Sequence, residues 1–160
     1  MKEIKIETVI TVYESLDEVP SEGQTLMKRA VEARLKSYSP YSNFAVGAAL
    51  RLANGEVVTG SNQENASYPS GLCAERTAIF YAGAKFPDQD ITCLAITAGS
   101  SLCTTEDPIP PCGACRQTIA EYEEKQGKPI EIFFMGETGK VAKSKSLANL
   151  LPFVFKGSML

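Results

Sequence analysis

At 160 residues the chain has the length of about one domain, long enough to hold a hydrophobic core without disulfide staples. Hydrophobic residues make up 44% and charged residues 22%, an ordinary globular composition, and the net charge of −3 makes duplex nucleic acid a poor partner. Met1-Lys2-Glu3-Ile4-Lys5 lacks the apolar run of a signal peptide, no stretch approaches the ~20 apolar residues of a membrane span, and the odd count of five cysteines fits a reducing cytoplasm better than a disulfide framework. A cytoplasmic protein with a small substrate, and with neither nucleic acid nor membrane as partner, is expected.

Taken in order, Ile4 to Val12 alternates well, with Ile4, Ile6, Ile10 and Val12 on one side, and predicts a strand. Ser21 with Gln24 three residues on has the form of a capping box. The helix it would open, to about Lys36, puts Leu26, Ala30, Ala33 and Leu35 near one face, and Ser39-Pro40 stops it. Phe44 to Leu52 and Val57 to Thr59 flank Asn54-Gly55, a hairpin signal in which both turn residues are expected at positive φ. Asn62 to Gly71 is a polar loop.

Cys73 to Ala84 predicts a second helix and Ile91 to Ala98 a strand. Ser100 to Pro111 is a loop carrying Pro108, Pro110 and Pro111. A third helix, Cys112 to about Lys125, opens behind those prolines. Ile130 to Met135 is another strand, Val141 begins a last short one, and Ser146 caps a short helix ending before Pro152. Helices alternating with strands imply an α/β layered domain, and the hairpin makes its sheet mixed.

The chemistry concentrates in Cys73-Ala74-Glu75-Arg76 and Pro111-Cys112-Gly113-Ala114-Cys115. Three thiolates can hold a zinc ion while leaving its fourth position for water, which is the form of a catalytic site. The chain contains no histidine, so proton transfer near neutral pH falls to a carboxylate, a thiol or a metal-bound water, and Glu75 is the candidate. Cys73 and Cys112 each stand at a helix start, where unpaired N–H groups and partial positive charge favour thiolate. Cys115 follows one turn later on the same face. Three thiolates leave the site about one charge negative, and Arg76 is placed to offset it by donating to sulfur. The alternative is a closed structural site with Cys103 or Cys93 as fourth ligand; Cys93 reads as a buried strand thiol and Cys103 as the better candidate.

Cys73-Ala74-Glu75-Arg76-Thr77-Ala78 and Pro111-Cys112-Gly113-Ala114-Cys115-Arg116-Gln117 resemble the two zinc motifs of the cytidine deaminases, in their small, three-cysteine, homotetrameric form. Tyr41 to Ala49, Asn62 to Tyr68 and Leu150 to Phe155 are similar too, so the resemblance runs from about Gly23 to Phe155. It implies a three-layer α/β/α sandwich with a mixed central sheet, in which residues 21–160 form one zinc-dependent deaminase domain and residues 1–20 an extension with a strand. It implies hydrolytic deamination of free cytidine and 2′-deoxycytidine to uridine and 2′-deoxyuridine in pyrimidine salvage, by zinc-activated water. Cys73, Cys112 and Cys115 would hold Zn2+, and Glu75 would move protons between water, ring and leaving ammonia. Asn62 and Glu64 would hold the ribose, Phe44 would stack on the base, Ala74 would touch substrate, and Phe155 would close the pocket of a neighbouring subunit. Read from the residues alone, Asn62 and Glu64 are i and i+2, so an extended segment points both the same way, an amide that donates and accepts beside a carboxylate that only accepts. Phe44 by its pattern fits core as well as a base platform.

Overall fold

Apolar runs separated by polar turns supply six strands, and these join in one sheet. In this structure, a computed structural model describing residues 1–160, the strands are β1 (Thr11–Tyr13), β2 (Phe44–Leu52), β3 (Val57–Ser61), β4 (Ile91–Ser100), β5 (Glu131–Met135) and β6 (Val141–Ser144). The helices are α1 (Ser21–Arg34), α2 (Ala74–Lys85) and α3 (Gly113–Gln126). The spatial order is β1-β6-β5-β4-β2-β3. Strands β4 and β5 run parallel and the other neighbours antiparallel, so the sheet is mixed as expected.

Strand β4 shows how the layers arise. Its continuous apolar run suits a strand covered on both faces. Leu94 and Ile96 join the larger core, with Ala78 and Ile79 of α2 and Ile119 of α3. Cys93 and Ala95 point the other way, into a second core with Leu26, Met27 and Ala30 of α1. One helix on one face and two on the other make the three-layer α/β/α sandwich. No helix is long and apolar enough to cross a membrane.

Two glycines let helix backbones lie directly on strands. A Cβ on Gly47 of β2 would stand 2.1 Å from the Ala30 carbonyl oxygen of α1, and one on Gly60 of β3 would stand 2.5 Å from the Ala74 carbonyl oxygen of α2. Only glycine permits such approach. The second contact seats the first turn of α2, and with it the Cys73 motif, against the sheet.

Four local expectations are corrected. The strand expected over Ile4 to Val12 is confined to Thr11–Tyr13. A strand exists only where a ladder partner exists, and β6 offers Lys143, Ala142 and Val141 to those three residues alone. Upstream, the Val9 N–H turns to Asn149 Oδ1 at 3.2 Å, and Ile4 stands exposed.

The capping box does not form, because Pro20 occupies the cap and has no N–H for Gln24 to receive. Gln24 Nε2 instead donates to the Val19 carbonyl at 2.8 Å and the Asp17 carbonyl at 3.1 Å, fastening the preceding turn. Leu35 falls past the end of α1 and is exposed, its place on the buried stripe going to Met27. In the hairpin only Gly55 has positive φ, at 89°. The loop is a residue longer than Asn-Gly alone requires: Gly55 N donates to the Leu52 carbonyl at 3.0 Å and Leu52 N to the Glu56 carbonyl at 2.9 Å. At the other end of the chain, Ser146 does cap, its side chain accepting from Ala148 N.

Candidate active site and metal centre

Cys73 and Cys112 are the cap residues of α2 and α3, both in extended conformation with their carbonyls accepting the first helical N–H bonds, from Thr77 and Arg116. Since α2 and α3 share one face of the sheet, the two helix starts meet. Cys73 Sγ lies 3.7 Å from Cys112 Sγ, and Cys112 Sγ lies 3.5 Å from Cys115 Sγ. All three sulfurs fall within 4.8 Å of one another. Tetrahedral zinc at about 2.3 Å from each thiolate spaces sulfurs roughly 3.8 Å apart, so the donor set fits zinc. Cys93 sits in the core under α1 and Cys103 is exposed in its loop, and neither belongs to the cluster. The closed four-cysteine alternative is thereby removed.

The electrostatics suit such an ion. The Cys73 thiol is pulled well down from its ordinary value, first by the neighbouring Cys115 thiol, against the cost of burial, and further by Arg76 and Cys112. Cys115, sharing that proton and buried, is pushed up in compensation. Arg76 Nη2 donates toward Cys73 Sγ at 3.8 Å, the position expected of a group that offsets thiolate charge.

Glu75 is 4% exposed, and its Oε2 has no hydrogen-bond partner within the chain. Burial raises its carboxyl above the ordinary value, backed by the charge of Cys73. A buried, unpaired carboxylate oxygen is costly unless a ligand or a proton completes it. It stands beside the clustered thiols, with Cys73 and Cys115 acting on its carboxyl.

Cys73, Cys112, Glu75 and Arg76 line a cavity of about 780 Å³ whose wall also carries Phe44, Asn62 and Glu64, while Cys115 is buried behind it. Phe44 is half-buried at the start of β2. Asn62 is more committed than its sequence position indicates. Its Oδ1 accepts from Val46 N at 2.8 Å and Ser37 Oγ at 2.6 Å, and its Nδ2 donates to the Phe44 carbonyl at 2.9 Å. Both oxygen lone pairs are used, so Asn62 can offer a ligand one N–H and nothing to accept with. Glu64 accepts from the N–H groups of Tyr41, at 2.9 Å, and Ser42, at 3.2 Å, and from Ser42 Oγ. Those bonds, Ser42 Oγ first, hold its carboxyl below the ordinary value.

Ala74 is not brought to this wall, and neither is Phe155, which was expected at a neighbour's pocket and not at this one. Ala74 is fully buried in the core under α2, because its position in the first turn faces the sheet. Phe155 is 59% exposed and bound through its carbonyl to Gln117 Nε2 at 2.8 Å. Conversely, Ser42, Tyr68, Leu72 and Ile109 line the cavity without having been singled out. Ser42 and Tyr68 lie inside matched motifs, the one available signal. Leu72 and Ile109 carry none, since an apolar loop residue has no distinguishing pattern.

The family model described as the cytidine and deoxycytidylate deaminase zinc-binding region matches residues 20–127. A cytidine deaminase of Halalkalibacterium halodurans is 41% identical over 132 residues, which span 82% of this chain and 92% of that protein. One of Sporosarcina psychrophila is 37% identical over 132 residues, 82% of this chain and 90% of the other. Among solved structures, cytidine deaminase from Burkholderia pseudomallei superposes with a TM-score of 0.70 at 41% identity, covering 82% of this chain and 97% of that one. The structure from Mycobacterium tuberculosis gives 0.65 at 32% identity, covering 86% and 99%. With the three-thiol cluster, the buried carboxylate and the fold all in place, the chain belongs to the zinc-dependent cytidine deaminase family.

Proposed function

We propose that the protein catalyses the hydrolytic deamination of free cytidine and 2′-deoxycytidine, with water, to uridine or 2′-deoxyuridine and ammonia. The observation that carries this reading is the unpaired Glu75 Oε2 beside the Cys73, Cys112 and Cys115 sulfurs, in a cavity that also holds Asn62, Glu64 and Phe44. Zinc, held by the three cysteines, supplies polarisation of water and a lower water pKa. Glu75 moves the protons. Its Oε2 takes one from water as the water oxygen bonds to the amino-bearing carbon, passes it to the adjacent ring nitrogen, and then carries the second water proton to the amino group, which leaves as ammonia while the carbon–oxygen bond becomes a carbonyl. A carboxyl raised by burial is suited to both taking and returning a proton near neutral pH.

The remaining residues orient the substrate. Phe44 offers a ring face to the base. Asn62 donates to a sugar hydroxyl through its one free N–H, and Glu64 accepts from one. Arg76, within reach of Cys73 Sγ, tempers the thiolate charge. The deaminase unit spans residues 21–160, in line with the family match beginning at residue 20, and residues 1–20 are an extension that supplies the edge strand β1. The working form is a homotetramer in which Phe155 closes a neighbour's pocket; the exposure of Phe153 and Phe155 supports this. The odd number of cysteines favours a cytoplasmic setting.

The test is ammonia release from cytidine, 2′-deoxycytidine and single-stranded DNA, with and without a zinc chelator. Both nucleosides are expected to turn over, DNA not, and chelation to stop the reaction. Glu75→Gln should keep zinc and lose at least about 100-fold in kcat. A variant retaining most of its rate would remove Glu75 from the chemistry.

A further inference from the structure

Ser42 occupies an unusual place between the two halves of the cavity wall. Its N–H donates to Glu64 Oε2 at 3.2 Å and its hydroxyl donates to Glu64 Oε1. The same hydroxyl oxygen accepts from Phe44 N at 3.0 Å. One atom thus joins the Glu64 carboxylate to the backbone of the Phe44 ring. The turn that carries it is fixed independently of Glu64. Asn43 N donates to the Ser39 carbonyl at 3.1 Å, Ser101 N donates to the Asn43 carbonyl at 3.1 Å, and Asn43 itself is in the left-handed region at φ 55°. Asparagine tolerates that conformation better than most side chains.

Counting acceptor sites gives the consequence. A carboxylate has about four. Tyr41 N and Ser42 N take both on Oε2, and Ser42 Oγ takes one on Oε1. One acceptor position is left, and its direction is set by the Ser42 hydroxyl.

We propose that Ser42 is a positioning residue for sugar recognition, orienting the last free acceptor of Glu64 toward the 2′- or 3′-hydroxyl of the nucleoside. This rests on the reading of Glu64 as a sugar ligand given above. Without the hydroxyl, Glu64 keeps its two backbone donors but is free to turn about them, and Phe44 N loses its side-chain acceptor. The sugar then loses a fixed partner while the zinc ligands and Glu75 are untouched.

The experiment compares cytidine with 2′,3′-dideoxycytidine, which has the same base and 5′-hydroxyl but lacks the 2′- and 3′-hydroxyls, on zinc-loaded wild type, Ser42→Ala, Ser42→Thr and Glu64→Gln. Ser42→Ala is expected to lower kcat/KM for cytidine about tenfold or more, chiefly through KM, and to lower it by no more than about threefold for the dideoxy compound, a loss shared by both substrates because Phe44 N loses its acceptor. The preference for cytidine therefore collapses, and Ser42→Thr, which keeps the hydroxyl, restores it. Equal losses on both substrates, an unchanged preference, or no rescue by Ser42→Thr overturns the proposal. Glu64→Gln tests the underlying reading separately: if it leaves the preference intact, Glu64 is not the sugar ligand, whatever Ser42→Ala does. Zinc content and thermal midpoint of each variant show that the fold is retained.

Discussion

Gly60 and Ala74 lie backbone against backbone, with room for no side chain between: a Cβ on Gly60 would stand 2.5 Å from the Ala74 carbonyl oxygen and 2.7 Å from Ala78 N. The first turn of α2 carries Glu75 and Arg76 and is capped by Cys73, so β3 is the floor on which half of the metal centre is built. Gly60→Ala must push that turn outward. It is expected to cost about 1–3 kcal/mol of stability and to loosen the metal. Thermal melts and zinc retained against a mild chelator measure the two effects. Full zinc retention alongside a lowered melt would show that α2 moves without disturbing the thiols.

The cysteines divide into three environments, and removing the metal should reveal them. Cys103 is exposed, while Cys93 is buried and its thiol is pushed up to about 12, by burial first. Thiolate, not thiol, is the reacting form. In the zinc-loaded protein a thiol reagent is expected to modify Cys103 alone at neutral pH. After chelation Cys73, half-buried, and Cys112, exposed, should join it, and Cys93 should stay protected until unfolding. Mass mapping of the modified peptides reads this directly. Early labelling of Cys93 would contradict the placement of that strand.

Asn62 and Glu64 stand two positions apart in sequence but differ in what they hold together. Asn62 satisfies Val46 N, Ser37 Oγ and the Phe44 carbonyl, tying the segment after α1 to β2. Asn62→Ala removes all three bonds, leaving Ser37 Oγ only Ser39 Oγ, and is expected to cost about 2 kcal/mol. Asn62→Asp should destabilise as well, because an oxygen then faces the Phe44 carbonyl. Chemical denaturation of each, compared with Glu64→Gln, checks this. A larger loss from Glu64→Gln would reverse the assignment.

Glu64 also makes a pH-dependent contribution. Its hydrogen bonds to Ser42 and Tyr41 lower the folded-state pKa below the ordinary 4.5. A group lowered on folding contributes its full stability above the unfolded value and loses it as pH falls through the folded one. The stability difference between wild type and Glu64→Gln is therefore expected to be constant from neutral pH down to about 5 and to shrink below it. Denaturant titrations at stepped pH give the curve. A gap that widens on acidification would have the wrong sign.

Much of the metal centre was legible because it is local. A cysteine that caps a helix, a second that caps another and a third one turn on are spaced by helix geometry, and Glu75 follows from its place in the first turn. The layered α/β class followed from alternating patterns in the same way. The misreadings are of another kind. Ile4 to Ile10 has strand chemistry and no strand, because β6 is too short to pair with it. Ser21 and Gln24 have the letters of a capping box, but the residue that caps is a proline.

The sequence by itself determined which atoms can bind zinc and move protons, since ligand chemistry and helix starts are properties of a few neighbouring residues. Tertiary structure alone decided how closely the two helix starts bring the sulfurs together, that Glu75 Oε2 is left without a partner, and that Asn62 has one bond to give. It also decided that Ser42 grips Glu64 from 22 positions away. The physical reason is that burial and hydrogen-bond occupancy depend on which distant segments arrive at the same place. No residue pattern records how many of a group's lone pairs the fold has already filled.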